Sequence, residues 1–214
     1  MLKRRQIALS DATEWLGDWH PLAEQLGSAN GLVTLASLSA ELGLPPVCDL
    51  AGLEKFLYQH QQQVLVAFEL PAVEAAHRHA SLNELREMIA MDVQMVQEPL
   101  LRVYAEPSRR VGQAQLKKLK PLRDQRMIQR YLQAVESGAA NGWHTLVYGL
   151  TLAIYSLPLR QGLLGYAHET TRGFIYGASS MLRLSERTCR DLFDEVVTGL
   201  PEAVELLIRQ RAAA

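Results

Sequence analysis

An all-α fold is predicted by three observations. Apolar residues recur at helical spacing along most of the chain, cap and proline signals fall at the ends of those runs, and no stretch alternates apolar and polar residues as a half-buried strand would. A single domain over residues 1–214, a bundle of about ten helices around a buried central pair, is the expected architecture.

Asp11 with Glu14 three residues on reads as a capping box for a short helix through Trp15 and Leu16, and Pro21 suits the first turn of another. Gly31 to Glu41 follows, with Leu32, Leu35, Leu38 and Leu42 on one face and Gly43 with Pro45-Pro46 as its stop. Asp49 is a good N-cap for a helix from Leu50 to about Phe68. Pro71 marks a new start, for a short helix ending near His79. Ser81 with Glu84 reads as a second capping box, opening a helix from Leu82 to about Gln97. Its stripe of Leu85, Met88, Ile89, Val93 and Val96 is expected in the core. Pro99 kinks or divides the path into Leu100 to Tyr104. Pro107 and Pro121 each occupy the first turn of a helix, the two ending near Leu119 and Glu136. The run 137–142, SGAANG, is the clearest loop, and it separates an outer helical layer from the central pair.

Trp143 to Leu157 carries no charged residue, and a helix apolar on all sides is buried. Pro158 ends it. The next helix runs from Leu159 to about Leu184, with Leu163, Ala167, Thr170, Phe174, Ala178 and Met181 on an apolar face. Gly162, Gly165, Gly173, Gly177 and Ser180 fall on a neighbouring arc. Each glycine there costs about 1 kcal/mol of helix stability relative to alanine, so the arc predicts another backbone in close approach. Gln161, His168, Arg172, Ser179 and Arg183 form the strip expected to meet water. Ser185 then caps a helix to about Leu200, and Pro201 starts a last amphipathic one.

Net charge is −1, which gives no general attraction to nucleic acid or membrane. The charge is unevenly spread: Asp11 to Glu98 holds 13 acidic and 3 basic residues, and Arg102 to Arg130 holds 9 basic and 2 acidic. Cys48 and Cys189 belong to no metal or redox motif, which favours a reducing compartment. The start MLKRRQIALS is too short in apolar residues for a signal peptide, and no run is long enough to span a bilayer. A cytoplasmic protein is expected.

Several residues invite a chemical reading. His77 and His79 are two apart on one helix, so they point about 200° apart and cannot readily chelate one ion. His144 lies at the start of an apolar helix with no carboxylate between Gly138 and His168 to orient it, the pattern of a hydrogen-bonded core histidine. Glu169 with Arg172 reads as a local ion pair. The basic run from Arg109 to Arg130 is a solvated face or a docking surface for a protein partner, and it lacks the interleaved aromatics of a nucleic-acid site. Cys48 reads as a small buried hydrophobe. No catalytic set, metal site or cofactor motif stands out from spacing.

The run AANGWHTLVYGLTLAIYSLPLRQGLLGYAHETTRGFIYGASSMLRL resembles the C-terminal half of urease accessory protein F (UreF), matching at Gly149, Leu157-Pro158-Leu159, Tyr166 and Ala178-Ser179. Leu70-Pro71 and Ala76-His77-Arg78 are also similar to the family, as are Ser108, Arg109 and Gly112 in its Ser-Arg-x-Met-Gly helix start. Departures from the family pattern are as specific. Pro21, Ser28, Gly31 and Leu32 remain of its opening loop, without the aromatic or the glutamate. Trp143 stands in the family's histidine place with His144 next, Thr145 replaces a proline, and Ser185-Glu186-Arg187 replaces Gly-Gln-Thr. These are the departures of a diverged paralogue.

The resemblance implies a noncatalytic, dimeric, all-α scaffold. Such a scaffold binds a D- or H-type accessory protein and recruits the G-type GTPase that drives nickel insertion into apo-urease. Ser108, Arg109, Arg110 and Gly112, with Tyr166 and Gly173 on the glycine-bearing helix, are the expected partner contacts. Neither nucleic acid, membrane nor a bound cofactor is expected. Two other readings follow from the residues: a similar adaptor with a different client, and a small helical ligand-binding protein or enzyme. The last would need a closed polar cavity holding at least two of His144, Glu169 and Tyr166.

Overall fold

The computed structural model describes residues 35–212, and all regular structure among them is helical. The expected signals at Asp11, Glu14, Pro21, Ser28, Gly31 and Leu32 lie outside the described residues. Helix α1 spans Leu35–Glu41 and stops where Gly43 takes a φ of +66°. Helix α2, Leu50–His60, starts on the Asp49 carboxylate, which accepts the Gly52 amide proton at 2.7 Å.

A π segment, Gln61–Glu69, continues α2 directly into α3, Leu70–Ser81. The expected new start at Pro71 is therefore absent. A proline ring inside an α-helix collides with the carbonyl four residues back. Here the turn before it is widened, the Leu70 amide bonding to the Leu65 carbonyl five residues back, and the ring is accommodated without a break.

Helix α4, Leu85–Gln94, leads through a 3₁₀ turn, Met95–Gln97, to α5, Pro99–Arg102, and then to α6, Ala105–Lys118. The capping box expected at Ser81 and Glu84 does not form. Ser81 ends α3 with its hydroxyl on the His77 carbonyl, Asn83 turns the chain at a φ of +63°, and the Glu84 carboxylate meets His79 Nδ1 at 2.8 Å. The expected stripe holds at Met88, which is buried, and at Leu85 and Ile89, which pack against the core, and fails at its C-terminal end. Val93 and Val96 are 49% and 37% exposed, and Asp92 and Met95 are buried in their place.

Helix α7, Arg126–Glu136, begins five residues later than Pro121 suggested, after a series of turns. Helices α8, His144–Ile154, and α9, Leu159–Leu182, lie where the two central helices are expected, but they are not a closely packed pair: α8 packs chiefly on α3 and α6 and touches α9 little. They are followed by α10, Glu186–Val197, capped as expected by the Ser185 hydroxyl on the Thr188 amide, and α11, Leu200–Ala212.

Helix α8 explains its own composition. Trp143, at its N-cap, and Leu146 join one apolar cluster with Phe56 and Phe174; Tyr148 and Leu152 join a second with Leu70 and Tyr166; Val147 and Leu150 join a third with Ile128 and Leu116. A rod touching three cores has no face left for water. Its main neighbours are α3 and α6, and both crossings require glycine. A Cβ on Gly149 would sit 2.3 Å from the Val73 carbonyl oxygen, and one on Gly112 would sit 2.2 Å from the Gly142 carbonyl oxygen.

The close approach expected along the α9 glycine arc is found neither at Gly162, which faces the Leu152 side chain, nor at Gly177, which faces open space. The arc runs out of the core. Beyond Phe174 its Gly177 and Ser180 are exposed, and so is Met181, expected on the neighbouring apolar face.

Candidate functional site

The loop after α7 is held by a buried carboxyl group that the sequence reading did not single out. Asp92, fully buried on α4, accepts the Asn141 amide and side-chain protons at Oδ1. Its Oδ2 accepts the Gly142 amide at 2.8 Å and the Tyr131 hydroxyl at 2.6 Å. The Trp143 indole donates to the Asp92 backbone carbonyl at 3.0 Å. Burial, then Asp92, pushes the Tyr131 hydroxyl well above its ordinary pKa.

From the other side α6 completes the clamp. Ser108 Oγ accepts the His144 amide at 3.2 Å, Gln113 donates to the Asn141 carbonyl at 2.9 Å, and the Arg109 guanidinium donates to Asn141 Oδ1 at 3.4 Å while lying 5.9 Å from the Trp143 ring centroid. Thus the first turn of α8 takes its direction from α4 and α6 together.

A second group of polar side chains lies in the interior. Glu69, the last residue of the π segment, is buried; its Oε1 accepts the Tyr104 hydroxyl at 2.9 Å, and Oε2 has no hydrogen-bond partner. The Tyr166 hydroxyl approaches the same carboxyl from α9, outside close hydrogen-bond geometry. Burial raises the Glu69 carboxyl from 4.5 to about 7, against the smaller opposite pull of the two hydroxyls. Tyr104 and Tyr166 are held well above the usual tyrosine range by burial and then by Glu69.

Tyr166 in turn packs on His144, ring centroids 5.6 Å apart, and on Tyr148 at 5.0 Å. Tyr148 donates to the Gly162 carbonyl at 2.9 Å, one of the contacts between α8 and α9. His60, at the end of α2, packs between Phe56 and Phe174, and burial lowers its pKa from 6.5 to about 3. It is a neutral core imidazole.

At the surface, a groove of about 640 Å³ separates α6 from the end of α7 and its loop. Glu106, Arg109, Arg110, Gln113, Ala114 and Lys117 line one wall, and Val135, Gly138, Ala140 and Asn141 line the other. A smaller depression of about 280 Å³ lies between the α3–α4 turn and the start of α7. Neither contains His144, Glu169 or Tyr166.

The anticipated contact residues therefore separate. Ser108, Gly112, Tyr166 and Gly173 are buried, Arg109 is half-buried and Arg110 is exposed. Glu169 pairs with Arg172 at a half-exposed position, as its spacing suggested. Cys48, expected to be buried, is exposed, because it lies in the extended segment between α1 and α2. His77 is half-buried against α8, where desolvation lowers its pKa, and His79 pairs with Glu84. Among the described residues no three His, Cys, Asp or Glu side chains are grouped to hold a metal ion, and no helix is long and apolar enough to cross a membrane.

The elements that build this arrangement coincide with a family pattern. The model of the UreF family matches residues 47–189, about two thirds of the chain, from the approach to α2 into α10. The chain belongs to the UreF family. UreF is a urease accessory family, so the protein is a urease accessory protein by kinship. No curated protein matches the chain. The UreF match takes in Asp92, the α6 clamp, the groove and the Glu69–Tyr166 interior alike.

Proposed function

We propose that this UreF-family chain acts as a noncatalytic cytoplasmic scaffold. It forms one helical domain, pairs with a second copy, binds a D- or H-type accessory protein, and brings a G-type GTPase to apo-urease for nickel insertion. The observation that carries this reading is the family match over 47–189. GTP hydrolysis belongs to the partner, and nickel is cargo of the assembly. The clamp around Asn141 to His144 supports a scaffold role, since it fixes a buried helix and its neighbouring surface rather than arranging reactive groups around a cavity.

The test is reconstitution with purified accessory proteins and apo-urease from the same source. The expected result is a stable complex with the G- and D- or H-type proteins, and GTP-dependent nickel loading that requires this chain. Absence of any complex would overturn the reading.

An adaptor for a different client is the second reading, favoured by Trp143. Where the resemblance places a histidine, this chain has a buried indole bonded to the Asp92 carbonyl. A complex that forms with the GTPase yet leaves nickel loading of urease unchanged would select this alternative.

A further inference from the structure

The groove beside α6 carries a pattern of positive charge that the fold and the clamp use only in part. Arg109 is set in place before any ligand arrives: Nε donates to the Ala105 carbonyl at 3.2 Å, Nη1 to Asn141 Oδ1, and the Trp143 ring lies beneath the guanidinium. A guanidinium already ordered loses little further freedom on meeting a carboxylate. Arg110 makes an exposed helical pair with Glu106 at 3.6 Å, which an incoming carboxylate can replace at small cost. Lys117, two turns further along the same helix, has no ion pair among the described residues.

Seven helical residues separate Arg110 from Lys117, a rise of about 10 Å. Acidic side chains about two to four residues apart on an extended chain reach both. The facing wall of Val135, Gly138 and Ala140 is low and small, leaving room for a peptide backbone. It offers no aromatic face on which a base could stack, which disfavours a nucleic acid.

We infer that this groove receives an extended acidic segment of a partner protein, with carboxylates on Arg109 and Arg110 at one end and on Lys117 at the other. That the partner belongs to the accessory complex rests on the scaffold reading. The charge pattern of the groove does not.

The test titrates the full chain with a fluorescein-labelled hexaglutamate peptide, read by anisotropy. Loss of two exposed ion pairs in R110Q/K117Q should weaken binding roughly tenfold. R123Q/R130Q removes the same charge at exposed positions outside the groove and should leave binding within about twofold. All four positions are exposed, and unchanged melting temperatures would verify that both variants fold. Equal weakening in the two variants would overturn the inference, as would displacement of the peptide by single-stranded DNA of equal charge as efficiently as by unlabelled hexaglutamate. Accessory proteins that bind R110Q/K117Q as well as the unaltered chain would also overturn it while sparing the scaffold reading. If the hexaglutamate contrast holds but no accessory protein binds, the groove stands and the scaffold reading falls.

Discussion

The loop clamp at 137–143 and the end of the π segment at Glu69 both place a carboxyl group out of water, and they do so in opposite ways. Asp92 has hydrogen-bond donors on both oxygens, two of them backbone amides of the loop it holds. Glu69 accepts the Tyr104 hydroxyl on one oxygen and receives only a weaker influence from the Tyr166 hydroxyl. A buried acid with its acceptors filled fixes a backbone. One with acceptors to spare resists ionisation, and burial dominates its titration.

The contrast is broken most forcefully at Asp92. Replacement by alanine strands the Asn141 and Gly142 amides and the Tyr131 hydroxyl in the interior, at about 1–3 kcal/mol for each group not rescued by water. D92A should lose about 4 kcal/mol or more in urea unfolding. A loss below about 1 kcal/mol would show that the clamp contributes little. Gly112 tests the same region through sterics. Its missing Cβ would meet backbone atoms of Gly142, Trp143 and His144, which cannot swing aside as a side chain can. G112A should cost about 3 kcal/mol, and a neutral effect would mean that the α6 crossing is looser than described.

At Glu69 the effect depends on pH. The folded chain holds the carboxyl proton up to about 7, whereas the unfolded chain releases it near 4.5. The stability this group contributes is complete below 4.5 and is lost as pH rises through about 7. His60 runs the other way: its contribution is complete above 6.5 and is lost as pH falls toward 3. Between 4.5 and 6.5 the two slopes oppose each other. E69Q removes one of them, so the stability of the variant relative to the unaltered chain should climb with pH through this window. The expected slope is at most about 1.4 kcal/mol per pH unit. Urea melts from about pH 5 to about pH 8 measure it. A constant difference would show that Glu69 does not titrate abnormally. The smallest effect belongs to the outer edge of the clamp: R109Q should cost only about 0.5–1 kcal/mol, because its contact with Asn141 is long and half-exposed.

Local signals in the sequence were reliable where local chemistry decides the outcome. Asp49 and Ser185 cap α2 and α10 with bonds to an amide three residues on, and the uncharged run after Trp143 is buried because all its sides meet apolar clusters. Ser81 and Glu84 misled because the same two side chains had nearer partners, a carbonyl within α3 and the His79 ring. Asp92 and Glu69 could not be recognised from spacing. Their partners lie 49 or 50 residues away in the loop and 35 away at Tyr104, so only the assembled fold distinguishes them from surface acids. On α4 the stripe was right at Met88, but past it packing turned Asp92 and Met95 inward and left Val93 and Val96 exposed. Of the anticipated partner contacts, Arg109 and Arg110 were legible as part of a basic run, but the groove they line needs the α7 loop opposite, which no local pattern places there.

Native-state hydrogen exchange at about pH 5 and about pH 8, corrected for intrinsic rates, compares the two regions most directly. The Asn141 and Gly142 amides, bonded to Asp92, should exchange only with global unfolding at both pH values. Amides of residues 64–70, beside Glu69, should require a markedly lower opening free energy at the higher pH, where the carboxyl ionises. Equal opening free energies for the two segments at both pH values would contradict the account.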